Sequence, residues 1–294
     1  MRGLARAALG LLLAAGAVDL TARASLEAQL DERPLPPGGV AVCRVRGLAP
    51  QGLVLAGLHQ EAGFYFSPAD GCLVALLAVP LGAKPGSQAL ALRWPGGEQA
   101  LRLRVGRDPY PRRRLRVAGL KGRLKRSAQR GDDGRLKAAF SAGWDSLPKW
   151  RGRMAWPLTF TPQVTSPFGA SRSYNRGEAA WRHQGVDLRA PNGCRVQAAA
   201  AGVVVLAKRR LALTGGSVLV DHGYGVVSAY FHLSKVLVTP GETLAQGQDL
   251  GISGHSGLSN GPHLHFELRL RGNSVAPDPW MRGPADAVPG AYPD

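Results

Sequence analysis

Long apolar runs are scarce in this 294-residue chain. The longest, Ala7 to Val18, is about a dozen residues, short of the roughly 20 a helix needs to cross a bilayer. Cysteine is scarce as well. Cys43, Cys72 and Cys194 form no C-x-x-C pair, which argues against a thiolate zinc site or a thioredoxin-like redox motif. In an oxidising compartment Cys43 and Cys72 are candidates for a disulfide that leaves Cys194 over. Buried free thiols acting as small hydrophobes are the alternative. No H-E-x-x-H sequence occurs, so a metal site here is not the common helical metalloprotease kind.

What is present starts with an export pattern at residues 1–24. Arg2 and Arg6 precede the apolar stretch, and Ala22-Arg23-Ala24 is a small-x-small cleavage site. The expectation is a signal peptide and a periplasmic, envelope or extracellular destination, with retention as an anchor the other outcome. The 39 glycines and 22 prolines are spread among short apolar runs, which favours a mainly β, turn-rich fold over long helices. The net charge of +17 is uneven: Arg102 to Arg153 holds 17 Lys or Arg against 4 acids. Such a segment attracts polyanions. For an exported chain these are anionic envelope polymers or a membrane surface. Nucleic acid is disfavoured because few aromatics are interleaved to stack on bases. A solvated basic linker is the plain alternative.

Between about Pro34 and Gly106, alternating runs separated by Pro-Gly and Gly-Gly steps predict a small β-sandwich, Ig-like, over residues 25–107. The runs are Val40–Val45, Leu53–Leu55, Gly63–Phe66, Cys72–Leu77, Ala89–Arg93 and Ala100–Val105. Holding only His59 and no acid cluster, this unit is expected to pack or position. Residues 108–153 read as a basic, partly helical connector, with a helix interrupted by Gly131 and Gly134. Strand signals return over 154–282 at Gly202–Leu206, Ser217–Val220, Val226–Phe231, Lys235–Val238 and His263–Leu268. Residues 283–294 are a tail.

Six of the seven histidines fall between His183 and His265. His263 and His265 are two apart on an alternating strand and so project from one face. His183-Gln-Gly-Val-Asp187 adds an imidazole and a carboxylate. Two histidines and one aspartate suit a catalytic zinc, which takes three protein ligands and leaves its fourth position to water. His222, in a Gly223-Tyr-Gly225 hairpin, is expected to cap or pack, and His255 to lie solvated on a loop at the cleft rim.

Phe168-Gly-Ala-Ser-Arg172, His183-x-x-x-Asp187, Tyr230-Phe-His232-Leu-Ser and Gly261-Pro-His263-Leu-His265-Phe-Glu follow one another in an order and spacing. Together they resemble the lysostaphin-type (LytM-like) zinc metallo-endopeptidases, family twenty-three of the metallopeptidases. The resemblance covers about Trp156 to Trp280 and includes the weaker Thr239-Pro-Gly-Glu and Gly247-Gln positions. It implies a duplicated-hybrid-motif fold with an antiparallel β-groove over 154–282. It implies one Zn2+ held by His183, Asp187 and His265, with His232 and His263 off the metal as catalytic bases or donors. The implied substrate is peptidoglycan. Tyr230, Arg172 and Asn175 are candidates for substrate or outer contacts. Ser259-Asn260, where a threonine is usual, and Asp249, where an apolar residue is usual, depart from the family pattern.

Three rivals remain. A catalytically silent relative that binds cell wall and activates an amidase would have lost ligands, whereas all five positions are kept here. A lipoyl or biotin carrier needs an exposed lysine at a hairpin tip, commonly beside methionine, and the Val238–Gly251 region has no Met-Lys pair. A nucleic-acid binder would rest on the basic segment alone.

Overall fold

Strand periodicity governs both halves of the chain. A computed structural model describes residues 26–30, 32–47, 49–68, 70–115, 134–141, 147–174 and 178–282. The expected leader, tail and middle of the connector lie outside the described residues. The first half forms two four-stranded antiparallel sheets. One has the spatial order β1 (Glu27–Leu30), β2 (Val40–Arg46), β6 (Cys72–Ala78) and β5 (Tyr65–Ser67). The other has β4 (Gln60–Gly63), β3 (Val54–Gly57), β7 (Gly86–Trp94) and β8 (Gly97–Val105).

Alternation sorts their side chains. Ala41 and Cys43 of β2 and Ala75 and Leu77 of β6 share one core with Leu55, Leu92 and Leu103 of the second sheet, while Arg102 and Arg104 point to solvent. Strand β6 has no polar face to offer. Its other side, Cys72, Val74, Leu76 and Ala78, is buried in a second core built largely from the C-terminal half. A continuous apolar run buried on both faces is the expected composition for such a strand.

The C-terminal half is built on an eight-stranded antiparallel sheet. Its order is β10 (Val164–Ser166), β13 (Val186–Leu188), β21 (Leu264–Leu270), β17 (Val226–Leu233), β16 (Gly215–Asp221), β15 (Gly202–Leu211) and β19 (Thr243–Leu244), with β22 (Asn273–Val275) also paired to β21. A small sheet of β14 (Arg195–Gln197), β20 (Asp249–Ile252) and β18 (Lys235–Val236) lies beside it. A further sheet joins β12 (Glu178–Arg182) and β11 (Ser171–Tyr174) to β9 (Arg112–Leu115), which comes from the connector and runs parallel to β11. Helix α1 spans 134–140 and helix α2 spans Asp278–Arg282.

The main sheet presents two unlike faces. Val218, Val220, Tyr230, Phe266 and Leu268 enter the core shared with β6. Leu219, Val227, Ala229 and Phe231 point the other way and pack with Ala139 and Phe140 of α1. Tyr224 fastens the two β units together. Its hydroxyl donates to the Gly63 carbonyl at 2.6 Å and accepts the Leu76 N–H at 3.2 Å, with its ring against Tyr65.

Three expectations change. Cys43 and Cys72 lie in different cores on opposite faces of the first sheet, so the considered disulfide has no route in this fold; all three cysteines are free. The connector, where described, is docked as β9 and α1 and is not a solvated linker. The Lys235–Val238 run makes a strand of only two residues.

His222 packs, as expected, and is fully buried. Its Nδ1–H donates to the Ala201 carbonyl at 2.8 Å and its Nε2 meets the Ser228 hydroxyl at 2.7 Å. Burial pushes its pKa down to about 4, against the raising influence of the Ala201 carbonyl and Asp221 and alongside Lys149, which lowers it further. The unfolded chain therefore takes up a proton below about pH 6.5 that the folded chain refuses until about 4, so stability is lost as pH drops through that window. Urea unfolding at pH 7.5 and 4.5 should show wild type losing about 3 kcal/mol more than His222→Asn. Equal losses would contradict this assignment.

Candidate metal centre

Register brings the site together. Asp187 of β13 lies directly opposite His265 of β21, and opposite residues in an antiparallel pair share a face. His183 precedes β13 and is held by its own backbone: its N–H donates to the Ala170 carbonyl at 2.9 Å and its carbonyl accepts the Gly169 N–H at 2.8 Å. Gly185, between the two, lets β13 close on β21. A Cβ there would lie 2.3 Å from the Phe266 carbonyl oxygen.

The three side chains meet at a point. His183 Nε2 lies 3.1 Å from Asp187 Oδ1 and 3.1 Å from His265 Nδ1, and His265 Nδ1 is 2.9 Å from Asp187 Oδ1. The far nitrogens decide what these atoms offer. His183 Nδ1 is 2.9 Å from the Pro167 carbonyl, and His265 Nε2 is 3.0 Å from Glu267 Oε1. Each of those contacts requires an N–H donor, so in the neutral rings Nε2 of His183 and Nδ1 of His265 carry lone pairs. Two imidazole lone pairs and a carboxylate oxygen then face one point, an arrangement that repels itself until a cation enters. Tetrahedral ligand atoms at zinc distances stand about 3.3 Å apart, close to the spacings here. The donor set fits zinc, and the outer carbonyl and carboxylate are the partners that metal-bound histidines usually have.

Charge follows the same logic. Burial alone would raise the Asp187 pKa, but hydrogen bonds from His183 and His265 hold it well below the carboxylate range. Burial alone would lower His265, yet Asp187 and Glu267 raise it to about 9. Burial would raise Glu267 as well; Arg269 and His265 instead bring it to about 2. The pocket is built to hold positive charge.

His232 and His263 stand beside this centre, their rings 4.8 Å apart. His263 Nδ1–H donates to the Gly261 carbonyl at 2.8 Å, and its Nε2 is 3.7 Å from Asp187 Oδ1. His232 Nδ1–H donates to the Ser256 carbonyl at 2.8 Å. Both rings thus present Nε2 as an acceptor. His232 has φ 63°, in a stretch where Gly216 pairs with Leu233 and Val218 with Tyr230. That extra residue on β17 is a bulge, a common device for re-aiming a side chain. Burial pushes the His232 pKa down to about 4.

The remaining candidates fall elsewhere. Tyr230, a candidate for substrate or outer contacts, is 0% exposed in the core, its hydroxyl accepting the Ala199 N–H at 2.8 Å. The Arg172 side chain and Asn175 lie outside the described residues. His255 is exposed near Asn192, as a rim residue would be. His59 lies in a turn of the first half. Sequence reasoning missed Glu267, Arg269 and Gln184. Arg269 donates to Glu267 Oε2 from Nε at 2.9 Å and to Gln184 Oε1 from Nη2 at 2.5 Å. The two-residue period, which places 263, 265, 267 and 269 in one row, put Glu267 and Arg269 on the face of His265; it gave no sign of Gln184.

Comparison with known proteins agrees with this geometry. Residues 181–277 match the model of Peptidase family M23. The chain is 35% identical over 131 residues to peptidoglycan DD-endopeptidase ShyA of Vibrio cholerae, covering 45% of this chain and 30% of that protein. It is 39% identical over 124 residues to DD-carboxypeptidase/endopeptidase Mpg of Neisseria meningitidis, covering 41% and 27%. It thus spans less than a third of the length of these two curated relatives. A Pseudomonas aeruginosa crystal structure assigned to peptidase M23 aligns with a TM-score of 0.63 and 26% identity, over 88% of this chain and 96% of that one. Residues 181–277 form a peptidase family M23 domain of the lysostaphin (LytM) type.

Gly185→Ala should push β13 off β21 and cost on the order of 1–3 kcal/mol or more. The urea midpoint measures it. An unchanged midpoint would mean that the β13–β21 closure does not depend on the missing Cβ.

Proposed function

We propose that the chain is an exported zinc metallo-endopeptidase that cuts peptide cross-links or stem peptides of bacterial peptidoglycan. The observation that carries this is the convergence of three lone pairs, from His183, Asp187 and His265, beside two further imidazoles whose Nε2 atoms are acceptors. Zinc bound there would polarise a scissile carbonyl and bring the pKa of water toward about 7. Everything else falls to the protein. Neutral imidazoles at His232 and His263 take a proton at Nε2 and return it to the leaving amine. Once protonated, either one also donates to the oxygen on which charge develops. Their Nδ1 bonds to the Ser256 and Gly261 carbonyls fix the ring tautomers, so no reorganisation is needed when the proton moves.

The substrate class rests on the named activities of ShyA and Mpg, both acting on DD bonds by name. A D,D cross-link is therefore the first bond to test. Export follows from the pattern at residues 1–24. The basic segment from Arg102 to Arg153 would hold the enzyme near anionic envelope polymers or a membrane surface.

Purified chain incubated with defined cross-linked muropeptides, followed by mass spectrometry, should release peptide-cleaved fragments and cease on chelation. His183→Ala and Asp187→Ala should lose metal and activity together. His263→Ala should keep about one zinc while turnover drops by about 10²- to 10⁴-fold. Loss of zinc in His263→Ala would overturn the division of roles between His263 and His265. A zinc-loaded wild type that releases no fragments alone, yet stimulates an amidase, would favour the silent activator.

A further inference from the structure

The connector helix reaches the metal centre through a chain of contacts. The Phe140 ring lies beneath the Arg269 guanidinium, whose carbon is 3.8 Å from the ring centroid. Arg269 thereby sits over the Phe140 face of α1 and grips Glu267 through Nε at 2.9 Å and Nη2 at 2.8 Å. Glu267, 5% exposed, holds His265 through Oε1 at 3.0 Å. His265 turns its other nitrogen to Asp187 and His183. A second route runs alongside: Phe231, in the same apolar cluster as Phe140 and Ala139, stacks on the His265 ring at 5.6 Å and 15°.

We propose that Phe140 is a positioning residue for the metal centre, so that docking of α1 and binding of zinc at His183, Asp187 and His265 support each other. This inference rests on the metallo-site reading above. A guanidinium has many orientations open to it in water, and only one presents Nε and Nη2 together to a single carboxylate. An aromatic face beneath it selects that plane. The selected plane fixes Glu267, and Glu267 keeps the proton on Nε2 of His265, so Nδ1 remains the donor atom for the ion. Leucine in place of Phe140 would fill the apolar space over Leu219 and Ala229 but offer no face to the guanidinium. Tyrosine would keep the face. Because coupling between two binding events is reciprocal, zinc must also strengthen the docking of the helix.

The test uses the full chain and zinc alone. Zinc affinity is measured by competition with a chromophoric chelator for wild type, Phe140→Leu, Phe140→Tyr and Glu267→Gln. Amide hydrogen exchange over 136–140 is followed with and without zinc. Glu267→Gln should bind about 10–100-fold more weakly. Phe140→Leu should weaken binding several-fold, Phe140→Tyr should match wild type, and zinc should slow exchange over 136–140 in wild type. Wild type that binds no zinc would remove the metallo-site reading itself. Tight binding by wild type with Phe140→Leu unchanged would overturn this inference and leave that reading intact. If Phe140→Leu fails to fold, the exchange measurement on wild type decides alone: protection over 136–140 that ignores zinc contradicts the coupling.

Discussion

Three lone pairs aimed at one point are an unstable arrangement for a protein to make, and the C-terminal half is organised around making it. Fully unprotonated, His183 Nε2, Asp187 Oδ1 and His265 Nδ1 repel one another, and only a proton or a metal ion between them relieves that. The surroundings impose the meeting. Pairing of β13 with β21 sets Asp187 opposite His265, and the Gly169 and Ala170 backbone pins His183 at the strand's entry. The Pro167 carbonyl and Glu267 take the rings' outer N–H groups, so each ring, when neutral, turns a lone pair inward. The elevated pKa of His265 is the metal-free consequence, a proton drawn to where a cation fits.

That constraint explains why the main sheet is buried on both sides. Its inner face packs on β6 and α2 through Leu268, Leu76 and Trp280, and its outer face is split between α1 and the metal centre. A strand that must hold ligands to within a few tenths of an ångström needs neighbours that cannot shift, and close-packed interiors resist such shifts. The first two sheets supply part of that support. Tyr224 fastens them to the β16–β17 turn, and β6 is shared by both cores. The N-terminal half thereby packs directly against the core beneath the site.

Much of this was legible in the residues. The alternation His263-Leu-His265 and the His183-x-x-x-Asp187 pair expose the centre because metal chemistry restricts ligand types and strands have a fixed period. Short apolar runs between Gly and Pro steps likewise mark most of the strands. Tyr230 misled for a physical reason. It is two residues from His232 and should share its face, but the bulge at His232 breaks the alternation, so Tyr230 goes under the sheet. The pairing of Phe140 with Arg269 was not legible. It depends on how a connector helix folds back across more than a hundred residues of chain, and no local pattern encodes that. Cys43 and Cys72 pose the same problem: proximity in sequence suggested a bridge, and the strand's two faces forbid it.

The most direct measurement is a crystal structure of the zinc-loaded chain with anomalous data collected at the zinc edge. A single peak should lie about 2.0–2.2 Å from His183 Nε2, one Asp187 oxygen and His265 Nδ1, with the rings of His232 and His263 beside it and unligated. A peak bound through His263, or no peak among these residues, would contradict the account.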